Sequence, residues 1–192
     1  MKTCCRNWSW PKESVRIRWS SSTPSKEGTM AESFEITDAM RSAIGVEGPQ
    51  WPVEFTTTGI RGFARGVGYT DPVYFDVEAA KAAGYASLPA PPTYGGIPVF
   101  IPGKSDNTYG APVAGNVRVE HGLKNLLDGG TEYNYLRIPV AGETLMQSSK
   151  IADLEVKTTK SLGTMLLVTS EATFVDSTGA IVMTTRGQAI FY

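Results

Sequence analysis

The residues best suited to chemistry lie in one short loop, in which Tyr69 and Tyr74 flank an Asp71-Pro72 turn. A tyrosine hydroxyl donates hydrogen bonds readily, but it titrates near pH 10 and is a poor base at neutral pH. The Asp71 side chain can accept hydrogen bonds from backbone amides just after it, which would fix the part of the loop that carries Tyr74. We therefore expect Asp71 and Tyr74 to contact a substrate, with Tyr74 a weak catalytic candidate. Packing at the rim of a site is the alternative role for both tyrosines.

His121 is the only histidine of the chain, and therefore its only ready base near neutral pH. It is a second weak catalytic candidate, and a surface or structural role is the alternative. The same two interpretations apply to Glu132, at the start of a predicted strand. We expect no metal site and no cofactor. A single histidine excludes a His-rich cluster, and the only cysteines, Cys4 and Cys5, are adjacent and near the start.

Length and composition restrict the class of protein. A chain of 192 residues suits one domain with a full core, and its 19% charged and 41% hydrophobic residues are ordinary for a soluble globular protein. The formal net charge of −1 provides no basic field for nucleic acid. No apolar run approaches about 18 residues, so we expect no membrane insertion and a cytoplasmic protein.

Residues 1–29 differ in composition from the rest of the chain. They carry six Lys and Arg against two Glu, with many serines and no sustained hydrophobic period. We expect a disordered or non-native extension here, with the folded domain over residues 30–192 and Met30 as the natural start. An organelle presequence, which is also rich in Arg and Ser, is the alternative.

The spacing of apolar residues predicts short helices around one strand in the first half of the chain. The predicted elements are a helix over 32–44, a strand over 53–58, a helix over 60–67 and a helix over 77–83. Asp76 is a good N-cap for the last helix, and Gly84 would end it. Residues 91–115 are rich in Pro and Gly, which argues against a long regular helix, and we expect a long loop over 101–114.

The second half is predicted to form an antiparallel sheet. Strands are expected over 132–138, 144–154, 163–174 and 181–192. Ala141-Gly142-Glu143 supplies one turn, and the turn over 176–179 is of hairpin type. Strands joined by short turns, after early helices, indicate an α+β domain.

Four blocks of the sequence resemble the MaoC-like dehydratases, and within them the FAS1-like N-terminal branch. Residues 68–76 are similar to the hydratase motif of that family, with Asp71-Pro72 at its Asn-Pro and Asp76 at its last Asp. Tyr69 and Tyr74 stand at the positions of the catalytic Asp and His. The other blocks follow in the family's order and cover residues 44–49, 90–94 and 129–145.

The resemblance implies a single hot-dog domain, in which an antiparallel sheet wraps a central helix that the prolines and glycines of this chain would shorten. It implies an acyl-CoA or acyl-carrier-protein thioester as substrate, in a tunnel between two hot-dog units. Small and aromatic side chains suit a wall that a substrate approaches closely. We expect that wall to include Pro92, Thr93, Tyr94, Gly95 and Gly96.

The missing dyad leaves three functions open. The first is a non-catalytic, substrate-shaping subunit of a heteromeric (R)-3-hydroxyacyl-thioester dehydratase or enoyl-CoA hydratase. Its MaoC-like partner chain would carry the Asp and His, and a self-dimer is the alternative assembly. The second is a self-sufficient dehydratase with an altered site, and the third is an acyl-CoA-binding protein without turnover. The nearest basic residues for carrier phosphates, which can also be solvated charges, are Arg118, Lys124 and Arg137.

Overall fold

The computed structural model describes residues 34–97, 119–160 and 162–192, which form one five-stranded antiparallel sheet with short helices. The helices are α1 (Asp38–Ser42), α2 (Thr57–Gly66) and α3 (Val77–Ala82), with 3-10 turns at Pro72–Tyr74 and Tyr94–Gly96. The strands are β1 (Trp51–Phe55), β2 (Leu126–Tyr135), β3 (Glu143–Thr159), β4 (Gly163–Val175) and β5 (Ile181–Phe191). The α+β class predicted from the sequence is confirmed.

The strand order is β1-β3-β4-β5-β2, so β1 and β2 are the edges of the sheet. The turn between β4 and β5 is closed by Asp176, whose side chain accepts hydrogen bonds from the Thr178 and Ala180 amides at 2.9 and 3.2 Å. Gly179 takes a φ of 83° there, a value that glycine adopts without steric cost. The predicted hairpin turn is therefore confirmed.

Two predicted boundaries are wrong because a threonine caps a helix. The first helix was expected from residue 32, but the Thr37 side chain accepts a hydrogen bond from the Met40 amide at 3.2 Å, and α1 starts only after it. The strand predicted over 53–58 ends at Phe55, because the Thr56 side chain accepts from the Gly59 amide and starts α2. In both places the side-chain hydrogen bond decides the boundary.

The third helix matches its prediction. The Asp76 side chain accepts hydrogen bonds from the Glu78 and Ala79 amides at 2.7 and 3.3 Å, as an N-cap does. Gly84 follows the helix with a φ of 93°, the left-handed conformation typical of a helix end. The helix-capping role predicted for Asp76 is confirmed.

Strand β2 starts earlier than the predicted residue 132, because a bulge allows the strand to continue through two glycines. Its register against β5 shifts between Asp128 and Thr131. The Asp128 side chain accepts a hydrogen bond from the Gly130 amide at 2.8 Å, which stabilises the irregular backbone. The Gly129-Gly130 pair is thus part of the strand and not a turn before it.

Buried side chains form two clusters on one face of the sheet, which we call the inner face. The first cluster packs under α2 and α3 and includes Phe55, Ile60, Tyr94, Phe174 and Met183. The second includes Met40, Ile151, Leu154, Leu166 and Val168. Leu166 and Phe174 are an even number of residues apart on β4, so their side chains point to the same face. The inner face between the clusters is where a ligand has room.

The shortened central helix expected from the resemblance falls largely outside the described residues. After Pro92 the described chain makes only the 3-10 turn at Tyr94–Gly96. Residues 98–118, with the loop predicted over 101–114, lie beyond what the structure describes, as does the extension predicted over 1–29. The described residues belong to one compact unit. Within the described ranges, no helix is long and apolar enough to cross a membrane.

Candidate functional site

The loop between α2 and α3 is fixed by hydrogen bonds to its backbone. The Asp71 side chain accepts from the Val73 amide at 3.0 Å, and this contact starts the 3-10 turn that carries Tyr74, as predicted. From α2, the Arg61 Nε atom donates to the Phe75 carbonyl at 2.9 Å. These contacts from both sides hold the loop and so position the Tyr74 side chain.

Tyr69 and Tyr74 are brought together by this loop. Their rings stack with centroids 5.4 Å apart and planes 23° from parallel. Burial raises the pKa of Tyr74, and the neighbouring Tyr69, Asp71 and Tyr85 raise it further. The Tyr74 hydroxyl is therefore protonated at neutral pH and can donate a hydrogen bond, but it cannot serve as a base there.

The segment before Pro92 is anchored to the turn between β2 and β3. The Ala90 amide donates to the Pro139 carbonyl at 2.8 Å, and the Ala141 amide donates to the Leu88 carbonyl at the same distance. This short pairing aligns the chain just before the residues that we expected to line the tunnel.

Tyr94 lies in the core, and the two residues before it are exposed. Its side chain is 2% exposed, and its ring centroid lies 5.4 Å from that of Phe55 and 5.6 Å from that of Phe63. Pro92 and Thr93 face solvent, and Thr93 has a φ of 69°, which is uncommon for a residue other than glycine. Tyr94 thus anchors the segment through its side chain and could contact a ligand only through its backbone.

Gly95 and Gly96 lack side chains because the sheet occupies that space. A Cβ atom on Gly95 would lie 2.6 Å from the Met183 methyl carbon, and one on Gly96 would overlap the Tyr133 hydroxyl. We expected these glycines to admit a substrate. The structure shows that the space beside these glycines is already occupied by the side chains of Met183 and Tyr133. Gly95 and Gly96 also border a cavity.

That cavity lies on the inner face and has a volume of about 330 Å³. Besides Gly95 and Gly96 it is lined by Trp51, Ile97, Tyr133, Gln147, Ser149, Ser170, Ala172, Phe174 and Thr185, among others. The Trp51 indole N–H donates to the Gln147 side-chain oxygen at 3.3 Å, which fixes the apolar end of the wall. Sequence reasoning singled out none of these strand residues. The sequence signal that could have indicated a polar site there is Ser170, which lies on a face of its predicted strand otherwise occupied by leucine, valine and alanine.

Two stacked tyrosines of β2 stand beside the Tyr94–Gly96 turn. The ring centroids of Tyr133 and Tyr135 are 6.3 Å apart. Burial raises the pKa of both phenols. The Asp128 carboxylate raises that of Tyr133 further, and the Thr93 backbone N–H partly opposes the rise at Tyr135. The Tyr135 hydroxyl is buried and has no partner at ordinary hydrogen-bond geometry among the described residues. Both hydroxyls are donors at neutral pH.

His121 lies away from the tyrosine loop and has a local structural contact. Its Nδ1 atom accepts a hydrogen bond from the Leu123 amide at 3.1 Å, and its ring centroid is 4.0 Å from that of Phe191. Leu123 and Phe191 pack on the second cluster, whereas the Tyr74 neighbour Tyr85 packs on the first. Burial lowers the pKa of His121, so it is mostly neutral at pH 7. The structure does not bring His121 and Tyr74 together.

The remaining charged candidates that the structure describes lie at the surface. Arg137 pairs with Glu143 at 2.7 Å and with Asp176 at 3.3 Å, which ties the end of β2 to two turns. Glu132 is exposed on β2 opposite Arg186, whose side chain pairs with Glu171 instead. Lys124 is also exposed, and Arg118 lies outside the described residues. The part of the chain that the structure describes has no group of three or more His, Cys, Asp or Glu side chains able to hold a metal ion.

The sheet order, the helices on one face and the loop between α2 and α3 define a hot-dog dehydratase fold. The solved structures agree. The chain is similar to the HadBC (3R-hydroxyacyl-ACP dehydratase) complex of Mycobacterium tuberculosis, with a TM-score of 0.56 and 20% identity over 77% of this chain and 98% of that one. It is similar to a MaoC-like dehydratase with a TM-score of 0.61 and 22% identity, over 80% of this chain and 43% of that one. For the ChsH1–ChsH2 complex of the same bacterium the TM-score is 0.58 and the identity 16%, over 76% and 84% of the chains.

The chain belongs to the FAS1-like dehydratase domain family, whose profile matches residues 42–185. Curated relatives carry the name UPF0336 protein. One from Leifsonia xyli subsp. xyli is 36% identical over 126 residues, which are 65% of this chain and 76% of the relative. Another from Clavibacter michiganensis subsp. michiganensis is 37% identical over 128 residues, with the same coverage. The resemblance inferred from the four sequence blocks is therefore confirmed.

Proposed function

We propose that this chain is the non-catalytic, substrate-shaping subunit of a heteromeric (R)-3-hydroxyacyl-thioester dehydratase, which runs as an enoyl-thioester hydratase in reverse. The observation that carries the proposal is the pair Tyr69 and Tyr74, which stand where the family has its catalytic Asp and His. The two rings stack on each other, and the pKa of Tyr74 is raised above its ordinary value.

The reaction needs a base for the Cα proton and an acid for the C3 hydroxyl, held on the same substrate. A phenol with a raised pKa can supply a proton only weakly and cannot take one up at pH 7. His121, the one histidine, packs against Phe191 and the second cluster, away from the loop. Tyr74 and His121 thus do not form an acid–base pair among the described residues, and in this proposal a partner chain supplies one.

Two features support a partner chain of the same fold. Among the strands that the structure describes, β2 is an edge of the sheet, and Leu126 and Leu127 on it are 61% and 42% exposed. A free edge with exposed leucines is suited to pairing with another strand. Two of the structures that resemble the chain are complexes, HadBC and ChsH1–ChsH2. In this proposal the partner's sheet continues from β2, and the partner carries the Asp and His.

The contribution of this chain is then the pocket for the acyl group. The inner-face cavity of about 330 Å³ is bordered by Gly95, Gly96 and Ile97 on one side and by Trp51 and Phe174 on another. Such a wall combines apolar surface with backbone that a substrate can approach, as ligand cavities commonly do. The thioester reaches it on CoA or on a carrier protein, and the roles expected of Asp71, Tyr74 and residues 92–96 belong to this proposal.

The test is hydration of crotonyl-CoA, and of a carrier-bound enoyl thioester, by the purified chain with and without a MaoC-like chain that has an intact dyad. We expect no measurable turnover by the chain alone and turnover by the mixture above that of the added chain. His121→Ala should leave the activity of the mixture unchanged. Robust turnover by the chain alone, abolished by His121→Ala, would show a self-sufficient dehydratase instead. Tight thioester binding with no activation by any dyad-bearing chain would show an acyl-binding protein.

A further inference from the structure

A band of hydroxyl groups crosses the inner face between its two apolar clusters. Thr131 on β2 and Ser170 on β4 both lie opposite Gly187 of β5. Two residues further along the strands, Tyr133 lies opposite Thr185. We call the side chains of Thr131, Tyr133, Ser170 and Thr185 the hydroxyl band. All four line the cavity. In the part of the chain that the structure describes, none of the four hydroxyls makes a side-chain hydrogen bond.

The band lies where an alkyl-binding groove would need apolar side chains. On one side of it Phe174 and Met183 belong to the first cluster, and on the other Leu166 and Val168 belong to the second. Sealing hydroxyls under a saturated chain removes their water without replacing it, which costs free energy for each unsatisfied group. A plain alkyl chain is therefore a poor occupant of the middle of this groove.

The groove continues past the band. A second cavity of about 420 Å³ shares Thr131, Ser170 and Gly187 with the first and extends to Leu126 and Ala189. Gly187 keeps the passage open, because a Cβ atom there would already lie 3.0 Å from the Thr131 hydroxyl. The hydroxyl band covers two residue positions along the strands, which is about 7 Å. A long occupant would thus meet Trp51 and Phe174 first, then the hydroxyl band, and then the leucines of β2, where Asp128 also lines the cavity.

We propose that the groove selects acyl chains that carry an oxygen function, a hydroxyl or a keto group, in mid-chain. The hydroxyl band would donate a hydrogen bond to that oxygen, and would also accept one where the oxygen is a hydroxyl. The apolar stretches on either side of the band would take the rest of the acyl group. The inference rests on the proposed function, since it assumes that the acyl part of the thioester enters the groove. It adds the class of substrate, which that function leaves open.

The experiment measures binding of dodecanoyl-pantetheine and its mid-chain hydroxy and keto analogues to the full chain by titration calorimetry. We expect the oxygenated analogues to bind about tenfold more tightly, since one well-made hydrogen bond contributes about 1.4 kcal/mol. Thr185→Val and Ser170→Ala should each reduce that preference to about twofold. The affinity for dodecanoyl-pantetheine should stay equal or rise. Thr184→Val is the matched control, because it makes the same change on the next residue of β5, which points to the opposite face.

The outcomes separate the two proposals. The inference would be overturned if dodecanoyl-pantetheine bound as tightly as its oxygenated analogues or more tightly, or if Thr185→Val kept the preference for oxygen. Either result would leave the proposed function standing. The hydroxyls would then be satisfied by water. Failure of every thioester to bind would contradict the acyl pocket itself, and the inference with it.

Discussion

Replacing Gly96 with alanine should destabilise the chain, and removing one oxygen atom from Tyr133 should cancel that effect. A Cβ atom at residue 96 would overlap the Tyr133 hydroxyl and lie 3.3 Å from the ring carbon that bears it. Tyr133 cannot easily swing away, because its ring stacks on Tyr135. The predicted cause of destabilisation is therefore a single atom of one neighbour.

The magnitude follows from two opposing terms. Overpacking of this kind costs about 1–3 kcal/mol. Gly96 does not have a positive φ, so alanine fits its backbone, and the lower chain entropy of the unfolded state should give back about 0.4–1 kcal/mol. We expect Gly96→Ala to lower the free energy of unfolding by about 1–2 kcal/mol, and by nearly nothing when Tyr133 is phenylalanine. The coupling between the two changes should exceed about 1 kcal/mol.

The assay is urea unfolding of four proteins: the natural chain, Gly96→Ala, Tyr133→Phe and the double variant. Gly62→Ala serves as control, because a Cβ atom there meets no neighbour within 4 Å and the position lies inside α2. It should stabilise the chain by about 1 kcal/mol whether residue 133 is tyrosine or phenylalanine. An equal cost of Gly96→Ala in both backgrounds would refute the assigned contact, and with it the account of why residue 96 is glycine.

Two further predictions concern charge and assembly. Hydrogen bonds from the Thr178 hydroxyl and amide, then from the Ala180 amide and Arg137, lower the pKa of Asp176 from 3.8 to about 2. Because the folded state favours the ionised carboxylate, this stabilisation is present above pH 3.8 and is lost as the pH falls toward 2. In Asp176→Asn the melting temperature should therefore depend less on pH across that window. A dependence as steep as in the natural chain would contradict the assignment. Leu127, which is 42% exposed on the edge strand β2, should be buried on association. Leu127→Glu should weaken binding to the dyad-bearing chain at least tenfold in sedimentation velocity, since burying a leucine contributes about 1.5–3 kcal/mol. Val46→Glu, at another exposed apolar residue, should not weaken it.

The parts of the fold that depend on neighbouring residues could be predicted. The alternation over β4 and β5 and the turn at Asp176 gave the hairpin, because side-chain period and turn chemistry are both local. Asp76 and Gly84 marked the ends of α3 for the same reason. The turn set by Asp71 was predicted in the same way, and it holds the loop that matters most for the proposed function.

Boundaries failed where a residue had two local options and the wider structure chose between them. Thr37 and Thr56 can continue an extended or helical run, or cap a helix with the side chain. Each caps, and each shifts a predicted boundary. Gly129-Gly130 suits a turn by composition, but pairing with β5 continues across it as a bulge. Propensity alone does not separate these options.

The sequence by itself determined the family and the strand pattern, because both depend on residue identity and local spacing. For the same reason it predicts that Tyr69 and Tyr74 stand at the positions of the catalytic pair. Only the tertiary structure decided that Tyr94 belongs to the core, that His121 lies apart from the tyrosine loop, and that the hydroxyl band, built from three strands, lines one cavity. Those facts depend on the registers of paired strands. A shift of one residue would turn every side chain of a strand to the other face, and the register is set by contacts between distant residues.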